Sequence, residues 1–372
     1  MTKRVLITGG AGFIGSHLAD ELLGRGYNVR ALDNLSSQVH GADGERPPYL
    51  SPDVELIRGD VRNSVATRKA LKDIDAVYHF AAAVGVGQSM YEIARYTQVN
   101  NLGTAVLLEA LIKQPVGRLI VASSMSLYGE GLYIDPDGKT WSNIERTQEQ
   151  LKARDWEPRA PTGAPLLPIP TPESKSPSVA SIYALGKYDQ EKMCLLVGRA
   201  YGISTVALRF FNVYGPRQAL SNPYTGSLAI FAARLLNGSS PLIFEDGRQR
   251  RDFIYISDVA TAARLALEFG DANGLVVNVG SGQHSTIGEI AEQMGKLLGR
   301  KDLRPQISGK YRVGDIRHCF ADVSLAQTTI GFSAAVRLED GLVKLVEWLE
   351  KQIAIDRIDA ARQELEARGL AL

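Results

Sequence analysis

The chain is poor in the residues that would make it a disulfide scaffold, a metalloprotein or a membrane protein. Its 372 residues hold two cysteines, Cys194 and Cys319, far apart in sequence, which excludes a disulfide framework and a cysteine metal site. Five histidines show no HxxxH or HExxH spacing, so no metal is expected. Forty-two Lys+Arg offset 41 Asp+Glu, leaving a formal charge of +1 and no electrostatic footprint for nucleic acid or an anionic membrane. No run approaches 18 apolar residues, and the start, MTKRVLITGG, breaks into glycine too early for a secretory signal. The expectation is a cytoplasmic protein. With 45% hydrophobic and 22% charged residues, it has the means to bury a sizeable core.

Short β-branched runs alternate with longer segments of helical period, which predicts βαβ units and an α/β fold with a doubly wound, Rossmann-type parallel sheet. The expected strands are 4–8, 29–33, 54–58, 76–80, 119–123 and 205–209, with helices at 15–25, 104–112 and 188–201. Their continuous hydrophobicity fits a sheet buried on both faces. Residues 131–177 hold eight of the 16 prolines, with Trp141 and Trp156 among them. They read as an insertion, either a disordered linker or a segment ordered around its tryptophans. From about residue 222 the pattern becomes a smaller mixed α/β lobe, with strands at 242–245 and 276–279 and helices at 226–236 and 287–298. The expected division is a cofactor domain over 1–215, to which elements of about 240–270 return. A substrate lobe over 216–354 and a charged helical tail over 355–372, read as a solvated face, follow.

Between the first strand and first helix lies Gly9-Gly10-Ala11-Gly12-Phe13-Ile14-Gly15. A dinucleotide pyrophosphate needs a tight turn, closely approaching backbone N–H groups and a helix N-terminus directed at its charge. Glycines alone are weak evidence, since they also serve plain turns. Asp33, 18 residues beyond Gly15, strengthens the reading. A carboxylate there accepts from the ribose hydroxyls and repels a 2′-phosphate, and Asn34-Leu35-Ser36 offers no arginine for that phosphate. NAD is therefore expected over NADP.

In Tyr183-Ala184-Leu185-Gly186-Lys187 the phenol and ammonium stand four apart on one helix face. A nearby cation favours phenolate, which predicts a phenol pKa lowered towards the working pH and a general base for a hydroxyl proton. The spacing is common by chance, and Ser124 just past a strand end makes it specific, as a hydroxyl that holds the substrate oxygen.

At this point the chain resembles the extended short-chain dehydrogenase/reductases, specifically the nucleotide-sugar epimerases and dehydratases, over nearly its whole length. The resemblance is carried by the glycine loop, Asp60-Val61, His79-Phe80-Ala81-Ala82, Asn100-Asn-Leu-Gly-Thr104, the Ser123–Gly129 stretch (numbers 123–129) and Tyr183 to Lys187, in the family's order. It implies a triad of Ser124, Tyr183 and Lys187. It also implies cofactor contacts from Gly9, Gly12, Phe13, Ile14, Gly15, Asp33, Asn34, Asp60, Val61, Ala81 and Ala82, with Asn100 supporting the catalytic region. The 59-residue separation of Ser124 and Tyr183 is longer than the family's usual one, and the insertion accounts for it. By the same resemblance Ser126, Asn212, Arg251, Arg312 and Asp315 contact a nucleotide-diphosphate sugar, the two arginines through bidentate donors. A surface ion pair with Asp252 is the other reading of Arg251. Cys319 borders the sugar pocket by resemblance, or is a small buried hydrophobe. A homodimer is implied as well.

Dehydratases of the family carry an Asp-Glu pair after the triad Ser/Thr, where this chain has Met125 and Ser126. The expectation is thus an NAD-dependent 4-epimerase acting by transient oxidation. The Gly85-Val-Gly-Gln-Ser89 loop, Met125 and the insertion look most like the dTDP-L-rhamnose 4-epimerases. UDP-hexose or UDP-N-acetylhexosamine epimerases, and a nucleotide-sugar ketoreductase, are the alternatives. A non-catalytic NAD-binding sensor is the reading from another class, and the complete triad speaks against it.

Overall fold

The computed structural model describes residues 3–371 except 42, 221, 223, 225, 313 and 353–357. Seven parallel strands form one sheet: β1 (Arg4–Thr8), β2 (Asn28–Asp33), β3 (Glu55–Arg58), β4 (Ala76–His79), β5 (Arg118–Ser124), β6 (Ser204–Phe210) and β7 (Val276–Val279). Their spatial order is β7-β6-β5-β4-β1-β2-β3. The order reverses at β1, whose partners are β2 and β4 (Ile7 opposite Ala31 and Tyr78). Crossover helices cover both faces, which is why β1, β4 and β5 are apolar without alternation and almost wholly buried. The main helices are α1 (Phe13–Gly24), α2 (Ser64–Leu71), α3 (Gly103–Lys113), α4 (Ile182–Tyr201) and α5 (Ile256–Glu268). A turn with π-type bonding, Thr97–Leu102, leads into α3.

Several expectations change. Val276–Val279 is not part of the smaller lobe: it is the edge strand of the main sheet, register Val277 opposite Leu208. Val277, Asn278 and Val279 are fully buried there. Of the elements around 240–270, α5 packs on α1. Leu242–Ile243 instead pairs with Gln306–Ile307 outside the main sheet.

The 131–177 insertion is ordered. Leu132–Ile134 is the middle of a three-stranded antiparallel sheet with Thr140–Trp141 and Leu167–Ile169. Tyr133, Ala160 and Leu166 form its own small core. Trp156 packs beside Tyr311, and Thr171 pairs with Ala321, so the segment is attached to the C-terminal lobe. The tail helix, Ile358–Ala367, is more than a solvated face: Leu365 is buried over Gly87 and Arg368 stacks on Tyr91. The expected start of the tail at 355, and the boundary at 354/355, lie outside the described residues. No helix among the described residues is long and apolar enough to cross a membrane.

Candidate active site

The chain ends of β1, β2, β4, β5 and β6 open onto a cavity of about 700 Å³. This is the point where the strand order reverses, and a sheet of this kind leaves its crevice there. Gly9, at φ +72°, turns the chain from β1 towards α1. A Cβ on Gly9 would lie 2.9 Å from Ala81 N, and one on Gly15 would run into the Gly9 carbonyl oxygen. The loop therefore packs backbone on backbone. No acidic side chain stands in the first turn of α1 and no side chain caps it, so its first amides are available to an anion.

Asp33 closes β2, buried, with Oδ2 accepting from Ala11 N (3.0 Å) and Oδ1 from Leu35 N (2.9 Å). Asn34 Nδ2 donates to Asp60 Oδ2 at 3.1 Å, joining the two strand ends. Hydrogen bonds from Arg62 hold the Asp60 carboxyl down at about 2. Val61, Ala81 and Ala82 line the same cavity. Asn100 does not line it. Its amide brackets Ala83, donating to Ala83 O (3.1 Å) and accepting from Ala83 N (2.8 Å), and so fixes the loop that does.

Ser124, Tyr183 and Lys187 meet on the cavity wall. Ser124 Oγ accepts from Ser126 Oγ (2.9 Å) and Ser126 N (3.2 Å) at the start of a 3-10 turn, Met125–Tyr128. Burial pushes the Tyr183 phenol up from its ordinary value, and a hydrogen bond with Ser124 pulls the other way. The expected lowering by Lys187 is thus not found. The ammonium is turned to Gln190 Oε1 (2.9 Å), and burial brings it down to about 8.

Gln190, one turn beyond Lys187, is a residue the sequence reading missed, although its spacing on the helix could have pointed to it. Its Nε2 donates to Thr104 Oγ1 (3.0 Å) and Ala81 O (3.4 Å). Thr104 donates to Asn100 O, so His79 Nε2 donates to Thr104 (2.8 Å) and His79 Nδ1 accepts from Thr8 (2.9 Å). Burial, then Lys187, lowers this imidazole to about 3. It is a neutral strut under Ala81. His40, also missed, lines the cavity with Nε2 at 3.8 Å from Asp33 and a buried Nδ1 without a partner. It ends a single helical turn, Ser37–His40, too short to leave a periodic signal.

Asn212 lies opposite Phe253 in a short parallel pair, Asn212–Tyr214 with Phe253–Tyr255. Its Oδ1 is buried without a partner and it faces the cavity. Arg251, Arg312 and Asp315 form a neighbouring group: Arg312 donates to Asp315 Oδ2 (2.9 and 3.2 Å) and stacks on Phe244, and Arg251 reaches Asp315 Oδ1 at 3.8 Å. Asp252 is not the partner of Arg251. It accepts from Ser281 N, Ser281 Oγ, Gly282 N and Ala321 N. Cys319 is 1% exposed, packed among Met125, Tyr128 and Phe211, and does not border the cavity. Ser126, Arg251, Arg312 and Asp315 likewise stand outside the cavity wall, Ser126 one hydrogen bond behind Ser124.

A parallel sheet with a glycine-loop helix, an acidic end to β2 and a Ser-Tyr-Lys triad defines a Rossmann-type dinucleotide enzyme. The model of the NAD dependent epimerase/dehydratase family matches residues 5–150 and 161–280, more than half of the chain. The chain belongs to this family of nucleotide-sugar enzymes, and NAD is its cofactor. It is 33% identical over 359 residues to the dTDP-L-rhamnose 4-epimerase of Burkholderia thailandensis, covering 94% of this chain and 96% of that one. Among solved structures it is similar to the UDP-glucose 4-epimerase of Thermotoga maritima with UDP-glucose. There the TM-score is 0.76 at 32% identity, over 94% of this chain and 99% of that one. The UDP-glucose 4-epimerase of Thermus thermophilus in complex with NAD gives 0.74 at 30%, over 94% and 100%. The residues present fit the cofactor: a backbone cradle that a Cβ would fill at Gly9 and Gly15, a free helix terminus, and a carboxylate at the end of β2.

Proposed function

We propose that the protein is a nucleotide-sugar 4-epimerase that oxidises carbon 4 of the sugar transiently and reduces it again from the other face. One observation carries the reading. Among the described residues of the cavity wall the only carboxylates are Asp33 and Asp60, both at the strand ends assigned to adenosine. Beside the triad stand Met125, buried, and Ser126, bonded to Ser124. Neither exchanges a proton at neutral pH, so the elimination of water has no acid-base pair there.

The glycine loop and Asp33 hold NAD, which supplies the hydride acceptor and donor at carbon 4 and brings positive charge into the site. Tyr183 takes the 4-hydroxyl proton and later returns it. Ser124 holds the same oxygen, and Lys187, fixed by Gln190, keeps positive charge below the phenol. Asn212, Arg251 and Arg312 anchor the diphosphate while the keto sugar turns about it.

For the substrate we propose dTDP-L-rhamnose, with 6-deoxy-L-talose as product sugar. The support is the likeness to the Burkholderia enzyme over almost all of both chains. A UDP-hexose is the second reading, supported by the likeness to the Thermotoga epimerase. Incubation with a panel of dTDP- and UDP-sugars and identification of products by NMR tests both. A C4 epimer from one of them is expected. A 4-keto-6-deoxy product, or no conversion of any, contradicts the proposal.

A further inference from the structure

The insertion brings two charged side chains against the C-terminal lobe, Arg146 buried and Glu157 half exposed. Arg146, with a side chain 4% exposed, donates to Glu245 Oε1 (2.7 Å) and Asp315 O (2.9 Å), and lies 3.4 Å from Glu130. Glu157 receives Arg317 Nε (3.1 Å) and the His318 Nε2 proton (2.9 Å). Arg317 is fully buried and also holds Glu245 (2.9 Å) and Asp246 (2.6 Å). A buried ion network tolerates little displacement, since any lost partner leaves a charge unpaired.

This network ends at the group assigned to the diphosphate. The carbonyls of Asp315, Ile316 and Arg317 are each taken by an arginine: the first by Arg146, the other two by Arg251. The segment 315–317 is thus held between the insertion and Arg251, and its Asp315 carboxylate sits between Arg251 and Arg312. The family model passes over residues 151–160, which hold Glu157 and Trp156. Glu157 thus stands in a stretch outside the family's model, whereas Arg146 lies within the matched residues.

We infer that the 131–177 insertion is a positioning element for the nucleotide diphosphate, in which Arg146 and Glu157 set segment 315–317 and through it the paired guanidiniums of Arg251 and Arg312. This rests on the reading that those two arginines hold the diphosphate. Arg146 touches neither substrate nor cofactor in this account.

The test is calorimetric titration of the full chain with UDP and dTDP, and with UMP and TMP, for wild type, Arg146→Ala, Arg312→Ala and the double variant. NAD affinity and melting temperature report the fold. Arg146→Ala should weaken the better-bound diphosphate about 10-fold and its monophosphate less than threefold. NAD affinity and kcat should stay within about twofold while KM for the sugar nucleotide rises. The double variant should bind no more than about twofold worse than Arg312→Ala, because both act on one group. Wild-type diphosphate affinity in a folded Arg146→Ala, with Arg312→Ala impaired, overturns the inference, as do additive effects. Wild-type affinity in Arg312→Ala instead overturns the diphosphate reading beneath it. Should Arg146→Ala not fold, Glu157→Gln carries the comparison. Its carboxylate is half exposed, and at least threefold weaker diphosphate binding is expected, with equal binding overturning the inference.

Discussion

Lys187 donates to Gln190 Oε1 at 2.9 Å, and Gln190 in turn donates to Thr104 and to the carbonyl of Ala81. The triad lysine is thereby tied to the end of β4, the strand end that lines the cofactor cavity. The ammonium is held by a fixed amide, while burial pushes the Tyr183 phenol up.

Tyr183→Phe keeps the ring and removes the base. NAD and sugar nucleotide should still bind, and turnover should drop at least ~10²-fold. Steady-state assays beside binding titrations check this, and near wild-type turnover would remove Tyr183 from the mechanism. Ser124→Ala should lose less, since it deletes one hydrogen bond and not the proton acceptor.

Asp33, with its two oxygens accepting from the Ala11 and Leu35 amides, lines the cavity at the end of β2, where the proposal puts the ribose. A 2′-phosphate there should cost on the order of 1–3 kcal/mol, several-fold to a hundred-fold and more in affinity. Titration of cofactor-stripped protein should find NADP weaker than NAD by that margin, and equal affinities would contradict the assignment.

His79 makes a distinct prediction for acid stability. Burial, then the Lys187 charge, lowers its pKa from the ordinary 6.5 to about 3 in the fold. Between these the unfolded chain binds a proton that the native state refuses, so stability falls as pH falls through this window. Relative to His79→Gln, which keeps one acceptor and one donor, the wild type should lose on the order of 3 kcal/mol more between pH 6.5 and 4. Asp252, raised to about 6, acts with the opposite sign but equally in both proteins. Parallel pH-stability curves would show that His79 is not the titrating group.

Cys319 is packed among Met125, Tyr128 and Phe211. Cys319→Tyr should therefore overfill the core, costing about 1–3 kcal/mol and several degrees in melting temperature, with NAD affinity changed little in the protein that folds. An unchanged melting temperature with altered sugar selectivity would return this residue to the pocket edge.

The first six strands of the main sheet were legible because strands buried on both faces must be continuously apolar, and the glycine loop and triad because their spacing is local. Val276–Val279 was misplaced for a physical reason. Its neighbour in the sheet, β6, precedes it by the whole substrate loop region, and no periodicity encodes that adjacency. The insertion's order was hidden by its prolines, which interrupt any period, and by partners far along the chain: Arg146 and Asp315 are 169 positions apart. The direction of the Tyr183 shift differs from the expectation because spacing alone suggests a pairing with Lys187, whereas the lysine turns to Gln190 and burial raises the phenol against the pull of Ser124.

The central claim is that the hydride removed from carbon 4 returns to carbon 4. A dTDP- or UDP-sugar deuterated at that carbon, converted to its epimer and read by NMR, tests it most directly. The label should remain at carbon 4 of the product. Its loss to solvent water would contradict the account, pointing instead to proton abstraction next to a ketone.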